Sequence, residues 1–420
     1  MSVTRPDRAA LDRAVARVVD TDNCSGCGAC TLLDTGLTMR LDEAGFVRPV
    51  RVGESSASAD AQRRFEAMCP GVVVRAATPE GTKRHPTMGS YLGVWRAWAA
   101  DPEVRLRGSS GGVLTALSAW LVESGEVPSV ITAGASKTDP RQTVSVSIST
   151  REEALEAAGS RYAPVALAGA VADVGGAAGR SAAGVAMVAK PCEVAALRAL
   201  HASEPAGGAE PLLFSFFCAG TPSQAATTAL LTDLGVEPDR HLAELWYRGR
   251  GWPGSFTAIA DGHRVEASYD RSWGQFLGPT MQWRCKICPD GVGESSDVTA
   301  ADFWSTDEHG YPDFTEGPGY SALIARTARG RDVIARAQEA GVIVTEPIGI
   351  EEVAAIQPFQ RNRREQLAGR LLGARAAGQP VPRYRGFGLL RLSMQRPRTT
   401  IRTLRGSFRR VRASRRRARR

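Results

Sequence analysis

Two kinds of apolar pattern alternate along the chain. Continuous runs at 130–135, Val185–Ala189 and 212–217 are short, β-branched or aromatic, and bounded by polar or glycine-rich segments, so they predict buried strands. Residues 144–149 alternate apolar and polar, as a half-buried strand does. Between them apolar residues recur at helical spacing: Val113, Leu114, Leu117, Trp120 and Leu121, closed by Gly125, then Val194, Leu197 and Leu200. Strand–helix alternation of this kind predicts an α/β fold with a mixed, largely parallel sheet and flanking helices.

The same pattern places a helix over 1–20, a strand over 91–99 and a turn over 101–107. Thr150-Arg151-Glu152-Glu153 is a capping box, and 255–260 with 264–269 form a hairpin around Asp261-Gly262. Thr221-Pro222 fits the N-cap and first position of a helix running to Gly235. Residues 302–304 and 320–326 continue the sheet, followed by a helix at 332–340, a strand at 342–345, an Arg-rich helix at 351–372 and a Pro-rich turn at 379–382. Residues 71–88 and 201–210 read as a linker and a loop.

Candidate chemistry sits at the strand ends. Cys192 follows one strand and opens a helix, and Cys218 ends the next strand just before another helix. In parallel sheets the carboxyl ends share one edge, where ligands bind. Arg284-Cys285-Lys286-Ile287-Cys288-Pro289 brings two more thiols, which completes four. Cys24-Ser25-Gly26-Cys27-Gly28-Ala29-Cys30 is a Cys-x-x-Cys-x-x-Cys triplet, and Cys69-Pro70 is its only local fourth candidate. Helix N-termini and small residues favour an anionic iron–sulfur cluster. Zinc also takes four thiolates, and buried free cysteine is the plain alternative for Cys192 and Cys218.

Ser109, Ser110, Gly111 and Gly112 open a helix as a phosphate-binding loop would. Gly159-Ser160-Arg161-Tyr162 offers a second such loop. Arg248 and Arg250, among glycines and aromatics, suit an anionic planar ligand or else lie in solvent. There is no Walker A motif and no Gly-x-Gly-x-x-Gly, which counts against an ATPase or a typical nicotinamide dehydrogenase.

Composition adds two facts. Eight cysteines without a secretory h-region predict a cytoplasmic protein with free thiols. The net charge of +9 is misleading, because residues 396–420 hold twelve Arg and no acid; without them the rest carries −3. That tail reads as a solvated, disordered extension, with an amphipathic helix on anionic lipid as the alternative, its Ile401, Leu404, Phe408 and Val411 on one face. An acidic body speaks against specific nucleic-acid binding.

Taken together, the two cysteine stretches, Gly108–Gly112, Gly159–Tyr162, Lys190-Pro191-Cys192 and Phe217-Cys218-Ala219-Gly220-Thr221-Pro222-Ser223 resemble the coenzyme F420 hydrogenase/dehydrogenase beta-subunit family over residues 20–390. The resemblance implies FAD near Ser109–Gly112 and Ser160–Tyr162; Lys190 is a further cofactor-binding candidate, and Arg248 and Arg250 are candidates for gripping an anionic substrate. It also implies one [4Fe–4S] cluster on Cys24, Cys27, Cys30 and Cys69 and another on Cys192, Cys218, Cys285 and Cys288. It further implies an oxidoreductase passing electrons between coenzyme F420 or ferredoxin and an organic substrate or a dehydrogenase-type partner protein; a non-catalytic electron-transfer subunit is the alternative. Self-association stays open. The domains expected are a ferredoxin-like cluster module at 1–88, a flavin and cluster domain at 89–350, a helical extension at 351–395 and the basic tail at 396–420.

Overall fold

The computed structural model describes residues 5–172, 184–203, 210–304 and 315–417. Residues 204–209 of the loop expected at 201–210, and the last three of the tail, lie outside them.

An eight-stranded sheet organises the chain. Its strands are β1 (Gly93–Ala99), β2 (Ser129–Ala135), β3 (Thr143–Ile148), β4 (Val185–Ala189), β5 (Leu212–Phe216), β6 (Val298–Asp302), β7 (Ser321–Ala325) and β8 (Ile343–Pro347). They lie in the order β8-β1-β7-β6-β5-β4-β2-β3. The central pairings β2/β4, β4/β5 and β5/β6 are parallel, and the flanking ones are antiparallel. β4 is buried along its whole length, as its unbroken apolar run requires of a strand covered on both faces.

The twofold period of the strands divides two cores. Val130, Ala186, Phe214 and Leu323 face the helices α3 (Val113–Glu123) and α6 (Ala328–Glu339). Ile131, Met187, Ala189 and Leu213 face the opposite way. There they meet α4 (Pro191–His201) together with Leu11 and Val15 of α1 (Arg5–Asp20) and Phe65 and Met68 of α2 (Ala61–Met68). The amino-terminal cysteine module therefore shares a continuous core with one face of the sheet.

Several sequence expectations are corrected. Residues 71–88 are not a linker: Val73–Arg75 pairs in parallel with Arg383–Arg385, and Lys83–His85 pairs with Gly89–Tyr91. The turn at 101–107 is a helix, Pro102–Arg107, because Asp101 caps it by accepting from the amides of Glu103 (2.8 Å) and Val104 (3.3 Å). The cap of α5 (Gln224–Asp233) is Ser223, which accepts from the Ala225 amide, and not Thr221. The Arg-rich helix is split at Pro358, which lacks the amide to continue Ile350–Ile356; α7 (Pro358–Ala376) starts afresh there.

The basic tail is the largest correction. It forms a helix, α8 (Pro397–Arg417), docked on α7. Ser407 and Val411 are buried and Leu404 is half-buried, while Ile401 is 51% exposed. The docking depends on small residues: a Cβ on Gly373 would stand 2.3 Å from the Leu404 carbonyl, and one on Gly369 2.6 Å from that of Thr400. Backbone-to-backbone approach gives this helix the packing that its charge-rich composition lacks. No helix among the described residues is long and apolar enough to cross a membrane.

Gly373→Leu should force α8 off α7. Overpacking costs about 1–3 kcal/mol, so trypsin should cut the tail on the order of tenfold faster at unchanged far-UV signal from the body.

Candidate functional site

Cys24 and Cys27 stand on the loop after α1, Cys30 lies in the short 3-10 turn Ala29–Leu32, and Cys69 caps the end of α2. All four line one pocket with Phe65 and Met68. Gly26 permits the wrap: its φ is +71°, and a Cβ there would meet the Val47 carbonyl at 2.7 Å. Its amide points at the Cys24 sulfur, 3.4 Å away. Burial pushes the Cys27 thiol up to about 11, and burial with the neighbouring thiols pushes Cys30 and Cys69 well above the ordinary range. A metal centre binding these thiols would release their protons and replace the charge.

The second set forms at the carboxyl edge of the parallel strands. Cys192 is in the first turn of α4 after β4, and Cys218 follows β5, with its amide donating to the Gly291 carbonyl at 2.8 Å. Cys285 lies on the short helix Trp283–Lys286 and Cys288 just beyond it. The Thr221 amide and the Gln282 side-chain amide both donate to the Cys285 sulfur, at 3.3 and 3.4 Å. Burial first, and the adjacent Cys285, push the Cys218 thiol up to about 12. Burial, with the Glu193 carboxylate beside it, pushes the Cys192 thiol well above its ordinary range.

Among the described residues, no three His, Cys, Asp or Glu side chains close on a single metal ion. A multi-iron cluster attaches each thiolate to its own iron and so accepts wider spacing than zinc. The first four thiols line one pocket, and in each set an amide is directed at a sulfur; thiols with such amides are the donor chemistry a cluster of this kind takes.

One segment joins the sets. Arg284, 2% exposed, donates through Nε and Nη2 to the Pro70 carbonyl, beside Cys69, at 3.2 and 3.0 Å. Burial opposes its charge, but Tyr384, Cys288, Cys192 and Cys285 around it raise its pKa. Gln282 accepts from Arg48 at 3.0 Å and donates to the Ser25 carbonyl at 3.1 Å. α7 then clamps the second set: Gln360 and Arg363 donate to the Cys218 carbonyl at 3.1 and 3.0 Å, Arg364 to that of Pro289 at 3.0 Å, and Arg370 to that of Lys286. The sequence marked this helix only as Arg-rich; its role lies in long-range contacts that leave no local signal.

The predicted flavin loops occupy different surroundings. The Ser110 hydroxyl donates to the Tyr320 carbonyl, and the Gly111 amide donates to Ser321 Oγ at 3.1 Å, so both are engaged within the protein. Gly112 is a left-handed helix cap against Val104. Ser109 accepts from Ser160 Oγ at 2.8 Å, which joins the two loops. Arg161 is held by Thr143, Leu245 and Pro140, and Tyr162 packs edge-on to Trp273. Lys190 is buried beside Glu193. Arg248 is paired with Asp302 at 2.6 Å, and Arg250 with Glu244 at 2.5 Å while stacked 3.7 Å over Trp246.

Ser160, Arg161, Arg248 and Arg250 nonetheless line one cavity of about 490 Å³, along the edge strand β3. Arg107, Lys137 and Trp246 also line it, together with Glu153, Glu156 and Glu244, so its wall is mixed in charge with an excess of basic groups. Lys137 carried no motif signal, since only the fold places its loop beside residues 243–250.

Two models of one family match the chain: coenzyme F420 hydrogenase/dehydrogenase beta subunit N-term at residues 94–172 and C terminus at 182–351. The second span includes Cys192, Cys218, Cys285 and Cys288; the first four cysteines precede both. The coenzyme F420 hydrogenase subunit beta of Methanothermobacter thermautotrophicus is 26% identical over 309 residues, covering 70% of this chain and 99% of that protein. The coenzyme F420-dependent sulfite reductase of Methanocaldococcus jannaschii is 23% identical over 361 residues, 82% of this chain and 50% of that protein. A chain in the F420-reducing [NiFe] hydrogenase complex from Methanosarcina barkeri shares the fold at a TM-score of 0.50 and 21% identity, covering 67% of this chain and 95% of that one.

Lys190 Nζ donates to Glu193 Oε1 and to the Val165 carbonyl, each at 2.7 Å, and Glu193 is fully buried. Lys190→Ala strands that carboxylate and should cost about 3–5 kcal/mol in urea unfolding; adding Glu193→Gln should recover part of the loss.

Proposed function

The chain belongs to the coenzyme F420 hydrogenase/dehydrogenase beta-subunit family, and on that premise we propose an iron–sulfur flavoprotein that passes electrons between coenzyme F420 or ferredoxin and an organic substrate or partner protein. The observation that carries the reading is the pairing of two four-cysteine sets through the single segment 282–288. Cys24, Cys27, Cys30 and Cys69 would hold one [4Fe–4S] cluster; Cys192, Cys218, Cys285 and Cys288 would hold the other. A flavin converts between hydride and single-electron transfer, which clusters alone do not.

The basic cavity is our site for the phosphate-bearing, planar ligand, FAD or the deazaflavin. Ser160 with Ser109 forms its inner rim in this reading, Lys137 and Arg107 supply positive charge, and Arg250 is paired with Glu244. Trp246 gives a ring face. Arg248, neutralised by Asp302, orients that wall rather than gripping an anion. Eight free thiols fit a reducing cytoplasm. The curated relatives named as subunits favour a chain that works with a partner, the second reading.

Purified anaerobically, the protein should be yellow-brown, with about eight iron and one flavin per chain. Cys69→Ser should lower the iron to about four and keep the flavin. A colourless zinc protein would end the proposal. Turnover of reduced coenzyme F420 with an artificial acceptor by the isolated chain selects the enzyme; activity only after a partner is added selects the subunit.

Arg284 supplies a test of the junction. A buried positive charge favours the more negative, reduced state of any cluster beside it. Arg284→Met should lower the midpoint potentials of both clusters in an EPR-monitored titration, and Arg284→Lys should leave them nearly unchanged.

A further inference from the structure

Helix α8 carries a second pattern that the redox reading leaves unused. Arg398, Arg402, Arg405, Arg409, Arg412 and Arg416 follow one another at intervals of four and three, which puts them on one helix face. All six are exposed. The row is about 27 Å long at 1.5 Å per residue. On the opposite face Thr400, Leu404, Ser407 and Val411 meet α7, so the row is held outward by a fixed scaffold. Among the described residues no carboxylate pairs with any of the six, whereas their neighbour Arg396 is paired with Glu365 at 3.1 Å.

Like charges at these spacings repel and weaken a helix. An unneutralised row that is nevertheless docked in order presents a site for a polyanion. Its surroundings select the kind. The preceding helix, Leu389–Met394, exposes Leu390 (69%) and Met394 (72%) on one side, and Ile401 (51%) borders the row itself. Large apolar side chains beside arginines match a lipid interface, where the charges meet headgroups and the apolar groups enter the acyl boundary. A nucleic-acid backbone offers nothing for those three side chains.

We propose that the α8 arginine row, with Leu390, Met394 and Ile401, is a peripheral docking surface for an anionic bilayer. The mode differs from simple insertion of an amphipathic tail, because Leu404 and Val411 are already spent on α7. Binding leaves the body of the protein beside the membrane without a spanning segment.

The test uses the full chain with its cofactors and sucrose-loaded vesicles of phosphatidylcholine with about one-third phosphatidylglycerol, at low salt where surface charge is least screened. The wild type should sediment with these and not with phosphatidylcholine alone. Reversing Arg402, Arg405 and Arg409 to Glu should weaken partition by about a hundredfold, and replacing the three by Lys should retain it. Leu390→Ser, Met394→Ser and Ile401→Ser together should also weaken it at constant charge. Since all these side chains are exposed, the variants should keep the wild-type visible spectrum. Equal sedimentation of the charge-reversed chain would overturn the proposal. So would an apolar triple variant that binds vesicles like the wild type, or duplex DNA that competes the protein off the vesicles.

Discussion

The segment from Gln282 to Cys288 is the constraint on which the rest depends. Its Gln282 side chain ties Ser25 and Arg48 to Cys285, and its Arg284 guanidinium ties Cys69-Pro70 to Cys285. Both ends of the tie are buried, so neither can be met by water if the other moves. The amino-terminal module and the strand edge are thereby held in one relation. A second tie supports the first from the opposite side: the Ala168 amide donates to the Cys27 carbonyl at 3.1 Å, and the Leu167 amide donates to Glu193 at 3.0 Å. Glu193 in turn neighbours Cys192. The two cysteine sets are thus fixed through short hydrogen-bonded paths rather than through loose packing.

Charge around these thiols follows a consistent logic. Arg48 and Arg284 stand near the first set, and Arg284, Arg363 and Lys190 near the second. Buried cations are costly unless paired, and here each is anchored by backbone carbonyls or one carboxylate. The layout prepares a low-dielectric interior for negative charge before any arrives. α7 contributes most of its part through bonds to the main chain of the thiol-bearing loops, so it shapes the loops as well as the field. α8, clasped to α7 through Gly369 and Gly373, backs that clamp while turning its arginines outward.

The basic cavity is separated from this centre in composition. No cysteine lines it, and its walls come from the β2–β3 edge and the residues around Trp246. The contact that joins it to the helix-opening glycine loop is Ser160 with Ser109. Gly159 makes that approach feasible, since a Cβ at its φ of +95° would meet the Arg248 carbonyl at 2.6 Å.

The sequence by itself determined the elements whose cause is local. β4 was legible as an unbroken apolar run and β5 as one interrupted only by Ser215, α3 and α4 from helical spacing, and the hairpin at Asp261-Gly262 from turn chemistry. The first three cysteines were legible because their spacing is a property of a single loop. Tertiary structure alone decided what depended on distant partners. Val73–Arg75 became a strand because Arg383–Arg385 lies alongside, and Lys83–His85 by pairing with Gly89–Tyr91. Ser223 capped α5 by accepting from the Ala225 amide, while Thr221, the expected cap, gives its amide to Cys285. The arginine tail became a helix because two glycines on α7 let it approach, and Arg248 lost its free charge to Asp302, 54 residues away. Propensity and periodicity act over a few residues, whereas neutralisation, docking and convergence are set by neighbours that only folding supplies.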